Sequence, residues 1–347
     1  MSSERSSKES FRTTQAVFGL AFIFALLLLP NSAMGQDGSW VRQRVGSLAW
    51  LHSIFFLDTN HGWVVGSRGT LLTTSDGGKT WKPRSRPSED VLRDIYFVDE
   101  SNGWLVCERN VYDLKTQDEP RTYLMKTVDG GISWQRVNIK GVDIDARITS
   151  AVFRDGGHGW AFGEGGAIFK TTDAGASWVR LAVPTRNLLL GATFIDNQRG
   201  WVVGAGATIL QTSDGGESWH LTRPAEASGT RFSATSFIDN RLGWAVGSGG
   251  RIFRTVNGGR TWQAQESGVR TDLFDVRFLD AQEGWAIGAE GTVIYTSDGG
   301  ANWSVQQSGT SHKLERLFFV DRKHGWAVGF GGTVIAYTRS VAPQLRR

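Results

Sequence analysis

Leu273 to Trp303 reads LFDVRFLDAQEGWAIGAEGTVIYTSDGGANW, and this stretch decides the fold. A short apolar strand ends at Phe278 and Asp280. A turn leads to Gly284-Trp285 and a second strand. Gly288 to Gly291 form a tight reversal, Thr292 to Thr296 a third strand, and Ser297 to Asn302 a second turn that delivers Trp303 and a fourth strand. Four short strands joined by glycine-rich turns predict an antiparallel meander.

The phrase recurs. Gly-Trp stands at Trp63, Trp104, Trp160, Trp201, Trp244, Trp285 and Trp326, at intervals of 41, 56, 41, 43, 41 and 41 residues. An all-β unit of this length matches a propeller blade, so the chain is expected to be an all-β, seven-bladed β-propeller of four-stranded antiparallel blades. The long interval marks an insertion in blade two, about residues 108–123, which should lengthen the hairpin between its second and third strands.

A second pattern, Thr-x-Asp-x-Gly-x-Ser/Thr-Trp, fills the turn before the fourth strand. Examples are Thr74 to Trp81, Thr127 to Trp134, Thr171 to Trp178 and Thr212 to Trp219. Two copies are altered: Asn257 replaces Asp in blade five, and Asn302 replaces the hydroxyl residue in blade six. This is the Asp-box. Its Asp should accept backbone N–H groups of its own turn, its Gly should take positive φ, and its Trp should pack between sheets. The boxes are expected on the outer rim, where their carboxylates cannot converge on a metal or substrate.

Blade seven lacks the box, with Arg339 standing where Asp would be. Asp37 to Arg42 (DGSWVR) resembles the segment after an Asp-box, so the N-terminal strand should complete the C-terminal blade and close the ring.

Composition narrows the function. Hydrophobic residues make up 40% and charged residues 21%, enough for a packed core. The net charge of +4, with no block of five basic residues, argues against nucleic acid. The single cysteine, Cys107, rules out an intramolecular disulfide. Residues 1–35 read as a signal peptide: Arg5, Lys8 and Arg12 lead the apolar run Ala16 to Pro30, and Ala33-Met34-Gly35 offers a cleavage site. The alternative is a retained anchor. The propeller then occupies 36–347, in the periplasm, thylakoid lumen or extracellular space, membrane-associated if the run is kept.

Inner-strand entries and strand reversals should share one face of the ring, where variable loops make binding plausible. Basic residues on or near it are Arg68, Arg93, Arg147, Arg186, Arg231, Arg270 and Lys313. Arg147, Arg231 and Lys313 share one phase, six positions before the Phe of their blades, and should surround a common mouth. Trp50 has the same phase and is a candidate aromatic anchor. His61, His158 and His324 read as turn residues. Glu164 and Glu290 lie in blades three and six, too far apart for a hydrolase pair. No enzyme activity, metal or cofactor is expected.

The sequence resembles the photosystem II stability/assembly-factor family over about residues 37–340. The resemblance rests on F-x-D-x-x-x-G-W-x-V-G-x-x-G-x-I/L-x-x-T-x-D-G-G-x-x-W, met at Phe56 to Trp81 and Phe194 to Trp219. It implies a monomeric, non-catalytic protein-binding scaffold in the thylakoid lumen or periplasm. Its partner would be a membrane-protein subunit or assembly complex, held by an arginine patch on one face. By resemblance Arg147, Arg186, Arg231 and Arg270 are the candidates for that patch. The lipid-attachment cysteine of cyanobacterial members is absent. The alternative is a glycan-binding or glycoside-hydrolase-like Asp-box propeller, though the Arg-Ile-Pro of sialidases is missing.

Overall fold

The computed structural model describes residues 38–110, 112, 114, 120–137 and 147–339. The expected signal peptide lies outside them. Strands are numbered β1 to β28 in chain order, and they form seven four-stranded antiparallel sheets. The inner strands are β2 (Leu51–Phe56), β6 (Val91–Phe97), β10 (Ile148–Phe153), β14 (Leu189–Phe194), β18 (Phe232–Phe237), β22 (Leu273–Phe278) and β26 (Leu314–Phe319). Each touches the next, and the first touches the last, so the sheets form a closed ring.

Two aromatics per blade make the joints. The Trp of Gly-Trp stacks on the inner-strand Phe of the following blade, as in Trp244 on Phe278 at 3.4 Å and 5°. Trp326 of blade seven lies on Phe56 of blade one at 3.6 Å and 12°. The indole N–H also crosses the joint: Trp201 Nε1 donates to Gly258 O (2.8 Å) and Trp326 Nε1 to Gly77 O (3.1 Å). Each acceptor is a turn carbonyl in the next blade's Asp-box. A buried tryptophan covers about 150–250 Å², and a stacked pair adds ~0.5–1.5 kcal/mol. The Gly before each Trp is obligatory, since a Cβ at Gly243 would sit 2.3 Å from the Phe237 ring.

The Asp-box Trp meets the same Phe edge-on within its own blade, for example Phe237–Trp262 at 5.8 Å and 87°. The turn is a closed hydrogen-bond unit. In blade four Thr212 Oγ1 donates to Asp214 Oδ1 (2.8 Å), and Asp214 Oδ1 accepts Ser218 N–H (3.0 Å). Asp214 Oδ2 takes the Ser218 hydroxyl, and Gly216, at φ 97°, gives its N–H to Thr212 Oγ1 (2.8 Å). In blade five Asn257 keeps the geometry by turning its amide N–H₂ to Thr261 Oγ1 (2.8 Å).

Blade seven closes as the sequence predicted. β1 (Gly38–Gln43) is its outer strand, paired antiparallel with β28 (Thr333–Arg339) from Gly38↔Arg339 to Gln43↔Val334. Trp40 takes the role of the missing Asp-box Trp, edge-on to Phe319 at 5.9 Å and 83°. No Asp-box carbonyl faces Trp285 here. Its Nε1 accordingly has no hydrogen-bond partner among the described residues, and its ring sits farther from Phe319, at 5.6 Å.

The blade-two insertion leaves the sheet between β7 (Gly103–Glu108) and β8 (Thr122–Thr127), with Glu108 paired to Thr122.

Candidate functional site at the axial mouth

Every inner strand carries a one-residue bulge at the same place. In β2, Leu51 pairs with Gly66 and Ser53 with Val65, so His52 is left without a partner across the ladder. The equivalents are Arg93, Thr149, Leu190, Ser233, Phe274 and Glu315, each four positions before the blade's Phe. A bulge redirects a side chain that regular pleating would place elsewhere. All seven bulge residues line one depression of about 220 Å³ at the end of the axis, together with Arg147, Arg231, Lys313 and Arg316.

The second Gly of Gly-Trp-x-x-Gly permits this crowding. A Cβ at Gly247 would fall 2.2 Å from Arg231 O, and one at Gly329 1.9 Å from Lys313 O. Those carbonyls accept N–H groups of the strand reversals, Ser248 N–H to Arg231 O and Phe330 N–H to Lys313 O, each at 3.0 Å. The positions six before Phe are thereby fixed at the rim. In blade two Cys107 replaces this Gly, and the hairpin runs on toward the insertion. Burial pushes the Cys107 thiol up to about 12, so it is not a ready nucleophile.

The mouth is strongly basic, with five Arg or Lys side chains and one carboxylate among its lining residues. Some of this charge is balanced from behind. The Glu108 carboxylate bridges Arg93 and Arg147, with Arg147 Nη2 donating to Oε2 at 3.0 Å. Burial works against the Glu108 charge, but the two guanidiniums more than offset it and its pKa lies below the ordinary value. Glu164 stands 3.8 Å from Arg147 and 3.4 Å from Arg121. Glu315 meets Lys313 Nζ at 2.7 Å and His52 Nδ1 at 2.8 Å, and these partners outweigh burial to lower its pKa. Arg231 makes no side-chain hydrogen bond or ion pair among the described residues and is exposed.

The structure therefore brings together four of the basic residues nominated from sequence: Arg93, Arg147, Arg231 and Lys313. Trp50 stands at the edge, half-buried. The Lys313 ammonium lies 4.9 Å above its ring, and Phe330 packs edge-on at 5.6 Å. Arg68, Arg186 and Arg270 are not in the lining. Arg68 sits in a strand reversal at φ 56°. Arg186 and Arg270 lie on exposed connections between blades. Of the four arginines taken from resemblance, only Arg147 and Arg231 reach the mouth. Sequence reasoning missed His52, Phe274, Glu315 and Arg316. The bulge that presents the first three was not anticipated, although the crowded Gly is visible in six of the seven repeats.

The other candidates are accounted for locally. His61, His158 and His324 contact Asp58, Asp155 and Asp321 within their own turns, at 2.8, 3.0 and 2.9 Å. No three His, Cys, Asp or Glu side chains gather as a metal site among the described residues.

A family model described as Photosynthesis system II assembly factor YCF48 matches residues 33–90, 85–187, 178–270 and 265–338. The photosystem II stability/assembly factor HCF136, chloroplastic, of Cyanidioschyzon merolae is 40% identical over 72 residues. That stretch is 20% of this chain and 16% of the relative, well under two thirds of its length. Two solved structures share the fold. YCF48 from Cyanidioschyzon merolae has a TM-score of 0.71 at 21% identity, covering 86% of this chain and 99% of that one. A YCF48 bound to D1 peptide has a TM-score of 0.72 at 21% identity, covering 87% and 95%. With successive blades matched along the whole ring, the chain belongs to the YCF48 photosystem II assembly-factor family.

Proposed function

We propose that the protein is a non-catalytic assembly factor that holds a carboxylate-bearing segment of a membrane-protein subunit in the basic mouth of its propeller. The observation that carries this reading is the convergence of Arg93, Arg147, Arg231 and Lys313 on one depression, with Arg231 exposed and unpaired. A related YCF48 has been solved with a D1 peptide. A photosystem II reaction-centre subunit is the partner this suggests. A concave basic surface with an aromatic edge suits an extended acidic segment, drawing it in by charge and seating it by ring contact. Trp50 is the proposed anchor, and Arg68, Arg186 and Arg270 would act as an outer basic fringe. The protein would work as a monomer in an exported compartment, delivered by residues 1–35, with 36–347 as the propeller.

The test is capture of D1-type subunit from detergent-solubilised membranes by the purified protein. The unaltered protein should retain it, and Arg231→Glu should lose at least tenfold of it while melting at the same temperature. Capture of polysaccharide alone, or capture indifferent to Arg231→Glu, would overturn the reading.

A further inference from the structure

The channel beneath the mouth is layered by sequence position. In five of the seven blades the residue three positions before the Phe is polar, and these residues, Ser53, Asp94, Ser150, Asp275 and Arg316, form a polar girdle. Asp94 accepts the hydroxyls of Ser53 (2.7 Å) and Ser150 and faces Arg316 Nη2 at 3.4 Å. Asp275 accepts the N–H of Leu317 and of Val276, both at 2.9 Å. Arg316 lines both the mouth and the space below it, so it separates the two.

Below the girdle is a second chamber of about 310 Å³, within the range of small-molecule sites. It sits toward the opposite end of the inner strands. Phe318, Phe55 and Tyr96, from three successive blades, form an aromatic arc with centroids 5.1 and 5.2 Å apart. Arg277 of blade six and Arg154 of blade three complete the wall.

The charges in this wall do not balance. Three arginines and two aspartates line it, and both aspartates are committed to the girdle. Arg154 gives one N–H to Ile195 O (3.1 Å). Arg277 has no hydrogen bond or ion pair among the described residues. Its side chain is exposed to the solvent of the chamber that it lines. The surrounding chain works against its charge, Asp275 favours that charge, and Arg154 opposes it further. A guanidinium that is solvent-accessible and carries no carboxylate can pair with an incoming anion without breaking an existing ion pair.

We propose that this lower chamber binds a small organic carboxylate with an apolar body. Arg277 and Arg154 take the carboxylate, and Phe55, Tyr96 and Phe318 take the body. Guanidinium–carboxylate pairing supplies orientation, and the arc excludes a strongly hydrated inorganic anion. The site is separate from the mouth and does not depend on the partner proposed there.

Phenylacetate is the probe, titrated calorimetrically into the full-length protein, with phenylacetamide as its neutral counterpart. Saturable binding at one site is expected. Phenylacetamide and Arg277→Gln should each weaken it at least tenfold, and Arg231→Glu at the mouth should leave it unchanged. Arg277→Gln should also melt close to the unaltered protein, since Arg277 is exposed and makes no hydrogen bond or ion pair among the described residues. Should that variant fail to fold, Arg154→Gln carries the same expected loss and Arg277→Lys an intermediate one. No saturable heat at 10 mM phenylacetate, equal binding of phenylacetamide, or binding indifferent to both arginine variants would overturn the proposal.

Discussion

The Asp-box turns and the inner-strand bulges repeat with the same period and behave in opposite ways. Turn chemistry is nearly invariant, because each Thr, Asp and Gly is consumed by its own turn and by the indole that the turn positions. Bulge chemistry differs in every blade: His52, Arg93, Thr149, Leu190, Ser233, Phe274 and Glu315. The bulge fixes a direction for the side chain and asks nothing of its identity. One end of the repeat is therefore spent on stability, and the other is left open to recognition.

Four experiments push on that contrast, in falling order of expected effect on stability. Deleting Ser39 to Arg44 removes β1 with Trp40, leaving β28 as an exposed edge and the joint to Trp285 unfilled. A thermal melt should drop by well over ten degrees, and an unchanged melt would mean that closure contributes little. Trp244→Ala empties one joint and strands the Gly299 carbonyl. Chemical denaturation should show a loss of about 3–5 kcal/mol.

The third experiment is an acid titration. The carboxyls of Asp76, Asp129, Asp173 and Asp214 are held at about 2, against an ordinary 3.8, chiefly by the hydroxyl of the Thr or Ser four positions on. A carboxyl depressed in the folded state contributes stability above its unfolded pKa and loses it as pH falls through the folded value. These turns should thus weaken between about pH 4 and 2, modestly because they are exposed. Blade five supplies its own control, since Asn257 does not titrate. The Ser218 amide resonance should shift with a midpoint near 2 in NMR, and that of Thr261 should stay still. The fourth experiment, Arg231→Glu, should leave the melt within about half a degree and act only on binding.

The fold was legible because its determinants are local and repeated. Gly-Trp spacing set the blade count, the Asp-box marked the outer turn, and Ser39-Trp40 betrayed the displaced strand. The mouth was half legible. Arg147, Arg231 and Lys313 were found because they share a phase, and the rim position preserves phase. The layer beneath was hidden because an alternating strand has no place for an extra residue. A single bulge re-aims His52, Phe274 and Glu315 without leaving a residue type that announces it. Arg186 and Arg270 lie on the inter-blade connections, as the sequence reading had them, and stay outside the lining of the mouth. The bridging of Arg93 and Arg147 by Glu108 was hidden too, since that carboxylate stands at the start of an insertion unique to blade two.

Blade five also offers the most direct test of the claim that recognition belongs to the bulge end alone. Arg231 at the mouth and Arg260 in the Asp-box turn are both exposed and belong to one sheet's two ends. The dissociation constant of a D1-type peptide should be measured against Arg231→Glu and Arg260→Glu at two salt concentrations. Arg231→Glu should weaken binding at least tenfold with a shallower salt dependence, and Arg260→Glu should leave it unchanged. The reverse pattern, or equal loss from both, would contradict that claim.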